Sequence, residues 1–382
     1  MKRRLRVAQL IDGFATAEAS GGAALFAIQM MRHLPSEQFE RVIYGLWRYN
    51  TASEARWLRL LAEEGIETHI LIEHPHELKR DLFRAAQYLG LSHIQQNIDI
   101  CNSHFDRGDV LQVWLKLVFS HSPKLVRTVH GGQNWLKRPW AGIVMNTLFP
   151  RFYAAETAIS TATKTRLDKR WSSRLSKRQA IIIHNGLSSD LLADAAQSSK
   201  ARSAYPSRFG IIGRLEQEKG HTYFLEAAAL VYEQYPETEF WVIGAGSLEA
   251  QLRQQAWTLG LEKVVVFLGA RNDVPHLLRQ LDCVVSASLA EGFPTIVLEA
   301  MVARVPVIAS DTLGSREILA VPQAGVLVQI GNSQDLATAM IRLIMQPERI
   351  PPMVERAWHH VQRYTMTVTA TAYAQLYQRI GA

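Results

Sequence analysis

Hydrophobic spacing along the chain keeps changing period. Short apolar runs such as RVAQLI, RVIYGLW, THILI, IDICNSH and KLVRTVH alternate with longer amphipathic stretches, among them 22–34, 53–64 and 77–89. A short apolar run fits a strand, and a repeat near 3.6 fits a helix. Strands separated by helix-length segments predict β-α units around a parallel sheet covered on both faces. The pattern pauses at SSDLLADAAQSSKARSAYPS, a polar Ser/Ala-rich stretch of linker character. It then restarts with RFGIIG, TEFWVIG, VVVFLG, DCVVSAS and VPVIAS between further helical segments.

The expected architecture is therefore α/β, with two Rossmann-like doubly wound domains at 1–186 and 207–359 and a linker at 187–206. A last helical segment, from about Pro351 to Ile380, is long enough to cross back, so residues from about 360 to 382 are assigned to the N-terminal domain. Two such domains facing across a cleft would hold a ligand at the carboxyl ends of their strands.

Length supports two domains, because 382 residues exceed what one ordinary core accommodates. With 48% apolar and 20% charged residues the composition is that of a globular chain. No apolar run reaches the roughly 18–20 residues of a membrane-spanning helix. The basic start MKRRLRVAQLIDGF has too short an apolar run for a signal peptide and reads as a first strand. Cys101 and Cys283 have no metal-ligand spacing and fit free thiols in a reducing, cytoplasmic setting. Charge is uneven. Residues 1–185 hold 26 Lys/Arg against 16 Asp/Glu, whereas residues 186–382 hold 16 against 19. A basic half points to an anionic partner or simply to solubility.

Candidate chemistry concentrates in the second half. In EGFPTIVLEA, Glu291 precedes a helix whose first turn begins at Pro294, and Glu299 lies more than a turn inside it. Proline is favoured at a first helical position, and the unpaired N–H groups expected there, of Thr295, Ile296 and Val297, attract phosphate. Gly292 permits close backbone approach. The two acids are expected to touch different parts of one extended ligand. In GRLEQEKG, Arg214 and Lys219 are two cations on one strand-to-helix turn, the chemistry needed to stabilise a leaving diphosphate. The alternative is a surface turn with solvated charges. Gly21 and Gly22 follow the first strand, and Gly244 and Gly246 follow a later one. Neither pair has the full G-x-G-x-x-G spacing, so NAD binding is poorly supported.

Taken together, GRLEQEKG, VIGAGSLEAQL, FLGARNDVPHLL, EGFPTIVLEAM and VPVIASD resemble family 4 glycosyltransferases of the GT-B fold, a retaining, nucleotide-sugar-dependent group. The resemblance is strong over about 207–330 and looser before it, through Gly21–Gly22, TVHGG, AIS and IHNG. It implies that Arg214 and Lys219 contact the donor diphosphate, that Glu291 lies against the transferred sugar and that Glu299 bonds the ribose hydroxyls. The backbone near Arg271 would hold the base. Amides of Phe293, Pro294-flanked Thr295 and Ile296 would cover the phosphate with Gly244 nearby, and Gly22 would face it from the other domain. His130 would sit near the sugar's reacting end. Two departures stand out: Leu313 occupies a position where the family usually has glycine, and Ser188 replaces a common acid.

The implied activity is hexosyl transfer from a UDP- or GDP-sugar to a glycan or lipid-linked acceptor in cell-surface polysaccharide or glycolipid synthesis. No D-x-D metal motif occurs, so neither metal nor cofactor is expected. A nucleotide-sugar epimerase and a non-catalytic nucleotide-sugar-binding protein are the alternatives. Nucleic-acid binding lacks aromatic platforms or a known module. In residues 164–179, Leu167, Trp171 and Leu175 form one stripe among seven cations. It could lie on an anionic membrane at the inner face of the cell membrane, or pack on the sheet as an ordinary surface helix. EHPHE at 73–77 has metal-capable side chains in awkward spacing for one coordination sphere.

Overall fold

The computed structural model describes residues 3–16, 21–73, 84–90, 92, 97–119, 122–131, 139–170, 173, 179–188, 207–321 and 323–381. The chain divides into two units, one of residues 1–186 and 366–382, the other of residues 187–365. Most of the expected linker, 189–206, lies outside the described residues.

Unit 1 holds a seven-stranded, all-parallel sheet in the order β3-β2-β1-β4-β5-β6-β7. Its strands are β1 (Leu5–Ile11), β2 (Phe39–Trp47), β3 (Glu67–Ile72), β4 (Ile100–Ser103), β5 (Lys124–Val129), β6 (Tyr153–Ala158) and β7 (Ile181–Ile182). Helices α1 (Gly21–His33), α2 (Ala52–Glu63), α3 (Asp106–Val118), α4 (Pro139–Thr147) and α5 (Thr161–Asp168) connect them. Both faces are covered, as the near-continuous apolar runs require. One core joins Val7 and Ile43 to Phe26 and Ile28 of α1, and the other joins Leu10 and Tyr44 to Leu111 and Leu115 of α3. The strand order reverses between β1 and β4, whose carboxyl ends are where doubly wound sheets take ligands.

Unit 2 repeats the plan with six parallel strands ordered β10-β9-β8-β11-β12-β13. These are β8 (Arg208–Ile212), β9 (Glu239–Ile243), β10 (Val265–Gly269), β11 (Cys283–Ser286), β12 (Val307–Ser310) and β13 (Val326–Val328). Its helices are α6 (His221–Gln234), α7 (Glu249–Thr258), α8 (Val274–Leu278), α9 (Thr295–Val302), α10 (Leu313–Leu319), α11 (Ser333–Met345) and α12 (Ile350–Val361). Phe224, Leu252 and Met340 pack with Phe209, Phe240 and Val285 of the sheet in one core. On α9, Val297, Leu298 and Met301 are fully buried. The strand order again reverses at β8 and β11.

The expected single helix from Pro351 to Ile380 is two. After α12 a 3-10 turn at Gln362–Tyr364 leads to Thr365, which is extended at φ −91 and ψ 153 and bridges in parallel to Leu187. Pairing with Leu187 interrupts the helical ladder. Helix α13 (Met366–Gly381) then belongs to unit 1, where Tyr373 and Tyr377 are buried in the core with α1.

Candidate active site

In unit 2 the loops leaving β8, β9 and β11 meet. Gly213 to Gly220 follows β8 and contains a 3-10 turn at Gln217–Lys219. Gly220 closes that turn at φ +70, and a Cβ there would lie 2.0 Å from the Ala287 carbonyl oxygen after β11. Only glycine permits both the left-handed backbone and this approach. The loops are tied again where Leu289 N–H donates to Glu218 O at 2.9 Å. After β9, Gly244 passes over Gly213, where a Cβ would stand 1.9 Å from the Gly213 oxygen.

This framework brings Lys219 and Glu291 together. Lys219 Nζ donates to Glu291 Oε2 at 2.6 Å, and Ser288 Oγ donates to the same oxygen at 3.2 Å. Both charged side chains are only partly open to water. Arg214 lies on the same turn, but its guanidinium reaches outward to Glu218 at 2.8 Å and is 70% exposed. Its backbone carbonyl accepts from Nε2 of buried His221 at 3.0 Å. Burial holds the His221 pKa down at about 4, so the ring is neutral with its proton on Nε2. Among the described residues its Nδ1 is buried without a partner. Glu216 receives both Ser247 N–H and Ser247 Oγ–H, at 3.1 and 2.8 Å, which pins the β8 loop to the β9 loop.

Helix α9 begins one residue later than expected. Pro294 is its N-cap at φ −76 and ψ 99, an extended conformation, so the first helical amide is that of Thr295. Among the described residues no side chain caps this end. Phe293 before it is buried, with its ring edge-on to Tyr364 at 5.6 Å. Glu299, well inside α9, is half-buried, and burial raises its pKa to about 7. Backbone atoms of Glu291 and Gly292 lie against Gly314 on α10, where a Cβ would meet Gly292 O at 2.7 Å. The neighbouring Leu313 is 63% exposed. Arg271 follows β10 and is held by both oxygens of Asp273 at 2.8 and 2.7 Å. The β10 end reaches this group of loops through Gly244 N–H donating to Gly269 O at 2.8 Å.

In unit 1, Gly21 and Gly22 open α1, and a Cβ on Gly22 would meet none of the described residues within 4 Å. His130 directly follows β5. Its Nε2 lies 2.9 Å from Nδ1 of His104, which directly follows β4. His104 Nε2 is in turn 2.7 Å from Gln9 Oε1 on β1. Burial lowers the pKa of His130 to about 4, and burial with the neighbouring His130 holds His104 well below the usual histidine range, so both rings are neutral. Beneath them, Gln9 and Asn102 both donate to Tyr377 Oη, and Thr128 and Thr157 bond Tyr373 Oη.

Glu216, Ser247, Ser288, His221, Gln9 and His104 escaped sequence reasoning, since none belongs to a spacing pattern that marks its contact. Of the 164–179 stripe, Leu167 is buried with Ala158 and Ala180, whereas Trp171 and Leu175 lie outside the described residues. Glu73 pairs with Arg48, and the rest of EHPHE is likewise outside them. Among the described residues no cluster of three or more His, Cys, Asp or Glu could hold a metal, and no helix is long and apolar enough to cross a membrane.

Comparison with known proteins agrees with this layout. The profile of the Glycosyl transferases group 1 family matches residues 196–358. A phosphatidyl-myo-inositol mannosyltransferase of Mycobacterium leprae is 30% identical over 296 residues, 75% of each chain. A UDP-Gal:alpha-D-GlcNAc-diphosphoundecaprenol alpha-1,3-galactosyltransferase of Escherichia coli is 33% identical over 138 residues, covering 35% of this chain and 36% of its own. Among solved structures, Anabaena HepE in complex with UDP and glucose superposes with a TM-score of 0.77 at 20% identity, covering 98% of this chain and all of its own. Sucrose-phosphate synthase of Thermosynechococcus elongatus reaches 0.79 at 18% identity, with 99% of both chains covered. Two parallel-sheet Rossmann-like domains of this kind are the GT-B fold. The chain belongs to the group 1 glycosyl transferases and is a glycosyltransferase.

Proposed function

We propose that the chain is a retaining, metal-independent family 4 hexosyltransferase. It takes its sugar from a nucleotide-diphosphate donor, UDP- or GDP-linked, and delivers it to a glycan or lipid-linked acceptor. The observation that carries this reading is the Lys219–Glu291 contact at the carboxyl ends of β8 and β11, beside the uncapped start of α9. A fixed cation and free helix-end amides suit a diphosphate that gains charge as it leaves. The names of the relatives support a lipid-linked acceptor, one being a phosphatidyl-myo-inositol mannosyltransferase and another acting on a diphosphoundecaprenol. The complex of HepE with UDP and glucose supports a uridine nucleotide.

Unit 2 is assigned the donor and unit 1 the acceptor. Lys219, Arg214, Gly244 and the amides of Phe293, Thr295 and Ile296 hold the diphosphate, and Gly22 is assigned to phosphate as well. Arg214 is assigned this role after leaving Glu218 for the phosphate, a motion its exposure permits. Glu291 holds the sugar, Glu299 the ribose hydroxyls, and the backbone near Arg271 the base. His130 acts at the reacting end of the sugar. As the diphosphate leaves, the sugar carbon gains oxocarbenium character. The acceptor attacks from the same face, and a leaving phosphate oxygen takes its proton, so configuration is retained without a covalent nucleophile. Synthesis of cell-surface polysaccharide or glycolipid follows as the setting.

The test is NMR of the sugar product after incubation with UDP- and GDP-sugars and polyprenyl-diphosphate or phosphatidylinositol acceptors. The expected product keeps the donor's anomeric configuration and forms only with acceptor present. Sugar released or epimerised without acceptor would favour an epimerase, and donor binding without turnover on any acceptor would favour a non-catalytic binder.

A further inference from the structure

We propose that Gln9 and His104 are positioning residues that set the tautomer of His130, so that its ring offers Nδ1 as a bare hydrogen-bond acceptor. This rests on His130 acting on the substrate. Gln9, His104, His130 and Tyr377 come from four separate elements of unit 1, namely β1, the ends of β4 and β5, and α13. At the α13 end, Gln9 Nε2 donates to Tyr377 Oη at 3.1 Å, and Asn102 Nδ2 donates to the same oxygen at 3.0 Å. With its amino end committed to the phenol, Gln9 turns its carbonyl oxygen to His104 Nε2 at 2.7 Å. A carbonyl oxygen can only accept, so His104 carries its single proton on Nε2.

The consequence passes on. Nδ1 of neutral His104 is then a lone pair, and its 2.9 Å contact with His130 requires the proton to be on His130 Nε2. Neutral His130 has no second proton, which leaves Nδ1 able to accept from a substrate hydroxyl and unable to donate. No bond to that nitrogen occurs among the described residues, whereas Nε2 is fully engaged. The ring plane is fixed as well: Phe26 meets His130 edge-on at 5.1 Å and also contacts His104 and Tyr373. Helix α13 thus orients, through one phenol and one amide, a ring at the opposite end of the relay. Reversing the amide of Gln9 would reverse every proton along the line.

The experiment reads the ring nitrogens directly, by long-range proton–nitrogen NMR of the free full-length chain at pH 7. Both His104 and His130 are expected as the Nε2–H form. In Gln9→Leu the acceptor is gone, so His104 should place its proton on Nδ1 and His130 should shift to Nδ1–H. Turnover should fall about 10- to 100-fold, the scale on which supporting hydrogen bonds to ligating histidines act, with donor KM changed less than about twofold. Tyr377→Phe keeps the packed ring but frees the amide of Gln9 to reverse, and should give mixed tautomers even if Gln9→Leu fails to fold. His130 found as Nδ1–H in the native chain, or a tautomer unchanged in the folded variants, would overturn the relay. A His130→Ala variant with native turnover would remove the substrate role instead, and the spectra of the free protein would still decide the relay.

Discussion

Nζ of Lys219 and Oε2 of Glu291 lie 2.6 Å apart across 72 residues of sequence, on loops that leave neighbouring strands of unit 2. Ser288 shares the same carboxylate oxygen, which leaves Oε1 of Glu291 for other partners. Each charge steadies the other at the end of a loop whose path glycine permits. Under the proposed reading, the pair aims a cation at phosphate and a carboxylate at sugar without a metal.

Lys219→Ala should therefore lower kcat/KM by roughly 100-fold or more, the usual cost of one positioned donor at a site of developing charge. Stability should change by only about 1 kcal/mol or less, since the pair is partly open to water. Steady-state kinetics beside a denaturant melt separates the two. Glu291→Ala should act mainly on kcat.

Glu299 gives a pH signature. Its pKa is about 7 in the folded chain, through burial, against an ordinary value near 4.5. The folded state holds the extra proton between these limits, so this contribution is complete below about pH 4.5 and is lost as pH rises through 7. Glu299→Gln should thus be more stable than the native chain at pH 8, by roughly 1–2 kcal/mol after allowing for partial exposure. The difference should vanish near pH 4. Parallel melting curves across that range would remove the burial argument.

Gly220 and Gly260 share φ +70, yet a Cβ on Gly220 would meet Ala287 O at 2.0 Å and one on Gly260 would meet nothing within 4 Å. Gly260→Ala should cost only the left-handed backbone, roughly 1–2 kcal/mol. Gly220→Ala should cost clearly more and also push apart the loops carrying Lys219 and Glu291. Urea melts and donor affinity measured on both variants check the contrast.

Gly22 lies in the first turn of α1, where a Cβ would meet none of the described residues within 4 Å. Alanine there should leave stability equal or raise it by about 0.5–1 kcal/mol, because glycine weakens helices. Turnover should nevertheless fall if a ligand phosphate needs that space. Unchanged kinetics in Gly22→Ala would take Gly22 out of the site.

Much of the fold is legible in the period of the apolar residues. RVAQLI and RFGIIG mark the central strands β1 and β8, and both sheets follow from strand and helix alternation. The turns that carry Lys219 and Glu291 are legible too, since glycine after a strand end, followed at Glu291 by proline, marks the passage from strand to helix. What escapes is made by distant partners. Gln9 reaches Tyr377 across 368 residues, and Ser247 reaches Glu216 across 31, with no local pattern to announce either. The break at Thr365 escapes for the same reason, because it depends on pairing with Leu187. Pro294 shows the limit at short range: its fixed φ suits both the cap and the first helical residue, and only ψ decides between them.

The most direct test of the donor site is a thermal-shift titration of the native chain and Glu299→Ala with UDP-, GDP- and ADP-sugars. A ligand that binds only the folded state raises Tm by mass action. One nucleotide sugar should raise the native Tm in a concentration-dependent way, with a clearly smaller rise in Glu299→Ala at the same concentrations. A native Tm unmoved by all three, or an equal rise in both chains, would contradict the assignment of Glu299 and its neighbours to a nucleotide-sugar site.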